Sequence, residues 1–182
     1  MAEFNSTSSF VEWGAVIAGS VLACAISLVL LQFGNAIDLS SHYLRSHSVT
    51  STQVLLVGLW LFVVQLLASC SGGYLAGRMR APWTNTSTES ELRDGTHGLL
   101  VWATSTLLAV AVAYIMTVTV AAAVDHSDVD VNVSNKVSVI MAFGAAAGSI
   151  VSAVAAWWTG VVGGDHRDKG TVSAKYKSFH RK

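Results

Sequence analysis

Four apolar runs, each free of charge and each long enough to cross a bilayer, constrain this chain more than any other feature of it. They occupy 13–36, 53–77, 98–124 and 137–163, and none holds an Asp, Glu, Lys or Arg. At 1.5 Å per residue each run reaches across a hydrocarbon core of about 30 Å. A soluble helical domain would carry a charged stripe at a 3.6-residue period, and that stripe is missing. The runs are too long and too continuous for barrel strands, which alternate in polarity over about ten residues. A cleaved secretory leader would need a basic start and a shorter apolar stretch; only Glu3 and Glu12 are charged before the first run, which is therefore expected to persist as a helix. The fold class expected is all-α, a polytopic membrane protein of four transmembrane helices.

Charge sets the expected orientation. Of the eleven Lys and Arg residues, nine fall after the second or fourth run: Arg78, Arg80, Arg93, Arg167, Lys169, Lys175, Lys177, Arg181 and Lys182. Arg45 and Lys136 alone lie in the other two gaps. Positive charge collects on the cytoplasmic side, so both termini are expected there, in a multi-pass protein of a bacterial inner membrane. The formal net charge of zero hides this asymmetry and points to no nucleic-acid partner. One domain is expected over 1–182, built as two antiparallel hairpins at 13–77 and 98–163, with a basic cytoplasmic tail at 164–182. The ends of the second and fourth runs resemble each other, each placing glycines and small residues before a basic exit, as an internal duplication would.

Small residues supply the expected helix-packing faces. Lipid offers no hydrophobic drive for helix pairing, so close backbone approach has to hold the helices together. Gly19 and Ala23 in the first run, Gly73 and Gly77 in the second, and Gly144, Gly148 and Ser152 in the fourth recur at intervals of four and are expected at those contacts. Trp13, Trp60, Trp83, Trp102 and Tyr74 stand near run ends, as interfacial anchors do. Cys24 and Cys70 lie inside runs, where they are expected to act as small apolar residues.

Few residues point to chemistry. The stretch from Glu89 to His97 gathers acids, Arg93, Asp94 and His97 before the third run; its composition fits a solvated interfacial loop in which Asp94 or Thr96 caps the helix. A metal site there is not expected. Asp125, Asp128 and Asp130 alternate as in a calcium loop, but the central glycine and terminal glutamate are absent, leaving an outward acidic turn. Gln32, Asn35, Asp38 and Gln65 are neutral or terminal polar groups, open to helix–helix hydrogen bonds or to contact with lipid or a quinone. The six histidines all lie outside the runs, so no intramembrane pair is available for haem. No nucleophile elbow or phosphate-binding glycine loop is present, and neither catalysis nor an intrinsic cofactor is expected, whereas bound lipid is.

Several segments carry a resemblance. Trp13-Gly-Ala-Val-Ile-Ala-Gly19, the stretch from Leu28 to Ser40, Gly72-Gly-Tyr-Leu-Ala-Gly-Arg78 and Arg93-Asp-Gly-Thr-His-Gly-Leu-Leu-Val-Trp102 together resemble the small four-helix proteins of alphaproteobacteria known as PhnA-like membrane proteins. The likeness runs over roughly 10–124. It implies an inner-membrane protein with Arg78, Arg93, Asp94 and His97 at the cytoplasmic interface, and it implies no phosphonate chemistry. Helix-packing faces, no charged path through the runs, and a Ser/Asn-rich start and Lys-rich end that a partner would hold lead to one expectation: a non-catalytic accessory subunit of a larger membrane protein complex, respiratory or photosynthetic. The alternative is a small homo-oligomeric channel or transporter.

Overall fold

The computed structural model describes residues 10–37, 51–81, 87–123 and 135–170. It is an all-α bundle of four helices: α1 Trp13–Ala36, α2 Ser51–Met79, α3 Ser87–Ala123 and α4 Asn135–Asp168. All four are long and apolar enough to cross a membrane. Each forms where leucine, alanine and other good helix formers run on without a proline. α2 stops just short of Pro82, the chain's one proline, because proline lacks an N–H and disfavours helical geometry in the residue before it. α4 ends in Gly170 with a φ of 61°, a left-handed position that glycine adopts without strain.

Two boundaries differ from the sequence expectation. α3 begins at Ser87, so the polar stretch up to His97 is helix and not a loop. α4 runs on to Asp168, so the basic tail expected from 164 starts as helix, and its remainder from 171 lies outside the described residues. So do the Ser/Asn-rich start, Trp83, Asp38 and the Asp125–Asp130 turn.

Backbone contacts give the register. Gly19 on α1 meets Gly72 on α2, and Gly34 meets Trp60, so these two helices run in opposite directions. Gly98 on α3 meets Ala156 on α4, and Asp94 meets Gly164, again in opposite directions. α2 and α4 run the same way, with Gly73 on Ala156 and Gly77 on Gly160, and theirs is the most extensive contact in the bundle. α1 and α3 also run the same way, pairing Glu12 with His97 and Ser20 with Thr104. α1 packs on α2 and α3 but has no comparable contact with α4. A twofold exchanging 13–77 with 98–163 would match every α2–α3 contact with an α1–α4 contact, and the bundle lacks that symmetry.

The core is made of small side chains: Val16, Ala23, Ala68, Ala76 and Val101. Packing is therefore by backbone approach. A side chain at Gly73 or Gly77 would collide with the main chain of Ala156 or Gly160, and one at Gly19 would meet the Gly72 carbonyl. Ala23 lies against Gly72, and Ser152 is buried and accepts a hydrogen bond from Trp102 Nε1 at 3.1 Å. Gly148 sits against the ring of Phe62, whereas a Cβ at Gly144 would meet nothing within 4 Å among the described residues of other helices. Apart from Gly34 against Trp60, this contact zone occupies one end of the bundle. Towards the other end, α3 is exposed on every side over 107–115 and α4 over 143–147.

Candidate functional site

At the packed end, four helix termini converge on an ionic node. The sequence places Ser90, Asp94, His97, Val101 and Thr104 on one stripe of α3, at helical spacings of four and three. That stripe faces inward. Ser90, Asp94, His97 and Val101 are all buried, His97 and Val101 completely. The expectation of a solvated loop is thereby corrected: with helical phase continued back to Ser87, Arg93, Asp94 and His97 turn into the bundle, where each finds a partner, while Glu89 and Glu91 stay exposed.

Asp94 is the centre. Its Oδ1 accepts from Arg80 Nε at 2.5 Å, and its two oxygens accept from Arg167 Nη1 and Nη2, both at 3.3 Å. Asp94 comes from α3, Arg80 from the end of α2 and Arg167 from the end of α4. Arg80 is shielded from solvent and also donates to Ser90 Oγ at 3.1 Å and to the Ala81 carbonyl at 3.0 Å. Arg167 donates to the carbonyls of Gly77 and Arg80 at 2.8 and 3.1 Å. These carbonyls belong to the last turn of α2, which has no partners of its own, and a cation there also opposes the negative end of the helix dipole. Arg167 completes its shell on Asp168 at 2.8 Å.

Arg93 and His97 tie in α1. Arg93 donates from Nε to the Phe10 carbonyl at 2.6 Å, places its guanidinium 5.6 Å from the Phe10 ring centre and pairs with Glu12 at 3.6 Å. Glu12 in turn accepts from the Ala81 N–H at 2.9 Å. The Glu12 main-chain N–H, an orphan donor at the start of α1, donates to His97 Nε2 at 2.9 Å. Nε2 must then be the acceptor, so the proton sits on Nδ1 and is donated to the Arg93 carbonyl at 2.7 Å. His97 is thus a neutral imidazole with both nitrogens used, which fits a cap and leaves no lone pair for a metal. Among the described residues no group of three or more His, Cys, Asp or Glu side chains is placed to hold a metal ion.

The ion pairs join Arg80, Arg93 and Arg167 to Glu12, Asp94 and Asp168, three charges of each sign. Burying charges is costly unless they are paired and hydrogen-bonded, and here they are both. α3 has 37 residues, which at 1.5 Å each is roughly 55 Å, well beyond a hydrocarbon core of about 30 Å. The node uses that surplus length.

Of the four interface residues expected from sequence, Arg93, Asp94 and His97 come together in the node. Arg78 does not: it leaves the other face of α2 and donates to Tyr74 Oη at 3.0 Å, which lies 3.2 Å from His166 Nδ1. Sequence reasoning missed Glu12, Arg80, Ser90 and Arg167. The signal available for them was the stripe on α3 combined with a basic residue at the exit of each even-numbered run.

Beyond the node, polar groups close on one another. Ser20 and Thr104 share a hydrogen bond between α1 and α3 in which either hydroxyl can donate, and the one that accepts keeps its proton on its own helix, Ser20 on the Val16 carbonyl at 2.8 Å or Thr104 on the Leu100 carbonyl at 2.7 Å. Gln65 is half-buried on α2, and Trp157 lies against Gly95. Comparison of the chain with protein-family profiles, with curated proteins and with solved structures finds no match.

Proposed function

We propose that this chain is the repeating unit of a small homo-oligomeric membrane channel or transporter. The observation that carries the proposal is the ionic node, in which buried Arg80, Arg93 and Asp94 and the mostly shielded Arg167 are balanced by the partly exposed Glu12 and Asp168, between helices otherwise apolar enough to span a bilayer. Ionisable groups within membrane-spanning segments typically mark ion, proton or substrate paths, and this node stands at the mouth of such segments, where it would meet a path at its cytoplasmic entrance. A passive packing subunit has less use for them, because replacing a buried ion pair by apolar residues of similar size is often neutral or stabilising. The contact between α2 and α4 already gives this bundle close packing without charge.

Homo-oligomerisation follows from what lies beyond the node. Within one copy the buried Val101 and the bonded pair Ser20 and Thr104 close the space beneath His97. A polar path across the membrane would therefore run between copies. The halves of α3 and α4 that are exposed on every side offer the surface for that assembly, with Gly144 and its alanine neighbours permitting close approach. In this reading the node lies at the cytoplasmic face of a bacterial inner membrane with both termini inside, as the charge asymmetry indicates. Membership of the PhnA-like membrane proteins is proposed with it, on the Gly72–Arg78 and Arg93–Trp102 segments.

The same exposed halves favour a second reading, an accessory subunit docked on a larger complex that covers them. Purification in mild detergent with mass measurement separates the two: several identical copies support the first reading, and fixed stoichiometry with other chains supports the second. Ion flux through proteoliposomes of the purified chain, reduced by Asp94→Asn, is the expected activity; a monomer that conducts nothing would sink the channel proposal.

A further inference from the structure

One arginine at the packed end is not consumed by the node. Arg78, half-buried at the end of α2, donates to Tyr74 Oη at 3.0 Å and has no carboxylate partner among the described residues. The tyrosine hydroxyl also faces His166 Nδ1 of α4 at 3.2 Å, and the two rings meet edge-on with centres 5.8 Å apart. The cluster spans two helices because Gly163 lets the backbone of α4 come against Tyr74 and Arg78.

We propose that Arg78, Tyr74 and His166 bind the phosphate of an anionic phospholipid, with its acyl chains lying along the groove between α2 and α4. A guanidinium offers five donors in a planar fork suited to two phosphate oxygens, and here a single one is occupied by a side chain. The tyrosine hydroxyl and the histidine stand beside it as further polar partners. What favours a lipid over a free anion is the track leading away from the cluster. Eleven residues make three helical turns, so Leu67 returns to the face of Arg78 on α2, and Ala155 to the face of His166 on α4. Leu67 is 47% exposed, Ala155 is half-buried, and Val151, a turn further along α4, is 49% exposed. A phosphate group at the cluster thus lies at the head of an apolar lane. This assignment is independent of how many copies assemble.

The test is native mass spectrometry of the full chain, delipidated in mild detergent and titrated with phosphatidylglycerol or phosphatidylcholine of the same acyl composition. The wild type should retain phosphatidylglycerol about tenfold better, since choline neutralises the phosphate charge that a charge-assisted bond reads. Arg78→Ala should reduce that retention to the phosphatidylcholine level, Arg78→Lys should keep part of the preference, and millimolar inorganic phosphate should not displace the lipid. Equal retention of the two lipids by the wild type, or an unchanged preference in a folded Arg78→Ala protein, overturns the site. Displacement by inorganic phosphate as effective as by excess phosphatidylglycerol overturns the lipid assignment. If Arg78→Ala does not fold, Tyr74→Phe carries the test: it should weaken phosphatidylglycerol selectively, and unaltered selectivity refutes the cluster. Failure of these outcomes leaves copy number and flux untouched.

Discussion

Asp94 holds two arginines from two different helices, and the consequence is an asymmetry between removing one charge and removing all three. Asp94→Ala leaves Arg80 and Arg167 facing each other in a buried site, which should destabilise the bundle by about 3–5 kcal/mol. Joint replacement of Arg80 by Met, Asp94 by Leu and Arg167 by Met removes the desolvation cost along with the attraction, and should recover much of that loss. Thermal unfolding in detergent measures both. The comparison also bears on function: a triple variant that is stable, assembles and conducts normally would show that the node is a fastening and no part of a path. His97 belongs to the fastening on any reading, because its two nitrogens bridge the Glu12 N–H and the Arg93 carbonyl.

At the scale of the helix, α2 and α3 each meet all the others, and the glycines of α2 decide how closely. Gly77 faces the backbone of Gly160, a contact with no flexible side chain to move aside. Gly77→Leu should force α2 and α4 apart and cost more than the about 1–3 kcal/mol of an ordinary overpacked core, read as a lowered unfolding temperature of the detergent-solubilised protein. Gly144 is the control, since a Cβ there would meet nothing within 4 Å among the described residues of other helices. Gly144→Leu should leave the stability of a single copy unchanged and reduce the size of the assembly; an assembly unaffected by it would remove this end of α4 from the interface. The four-residue recurrence of small residues in α4 was visible beforehand, but not which of them meet a partner. Each step of four runs about 40° past a full rotation, so one recurrence sweeps across several faces. The neighbours of those faces depend on where α2 and α3 lie.

For the whole molecule, the charge asymmetry predicts a topology that the bundle itself does not test. Reporter fusions after Ser46 and after Asp128 should both register outside the cytoplasm, and fusions at either terminus should register inside. A cytoplasmic signal from either loop would break the four-span arrangement. The packing explains why such a chain holds together in lipid, where apolar burial between helices contributes little. Its fastenings concentrate at one end, in the node and the glycine contacts of α2 with α4, while α3 over 107–115 and α4 over 143–147 are exposed. A bundle closed at one end and open at the other is suited to lateral assembly, and that geometry links the node to the proposed oligomer.

Four apolar helices long enough to span a membrane were legible from the sequence alone, because run length and absence of charge report directly on the solvent a segment tolerates. The position of Arg93, Asp94 and His97 near a run end was legible for the same reason. Their burial was not. Hydropathy scores each residue as if it stood alone, so it ended the third run at Gly98 and left the charged stretch in water. The helix instead continues back to Ser87, and Arg80, Arg167 and Glu12, contributed from the ends of three other helices, pair with the Arg93 and Asp94 that it turns inward. A charge's solvation is settled by what surrounds it, and for this stretch the surroundings come from residues 14 to 85 positions distant, which only the tertiary structure brings into contact.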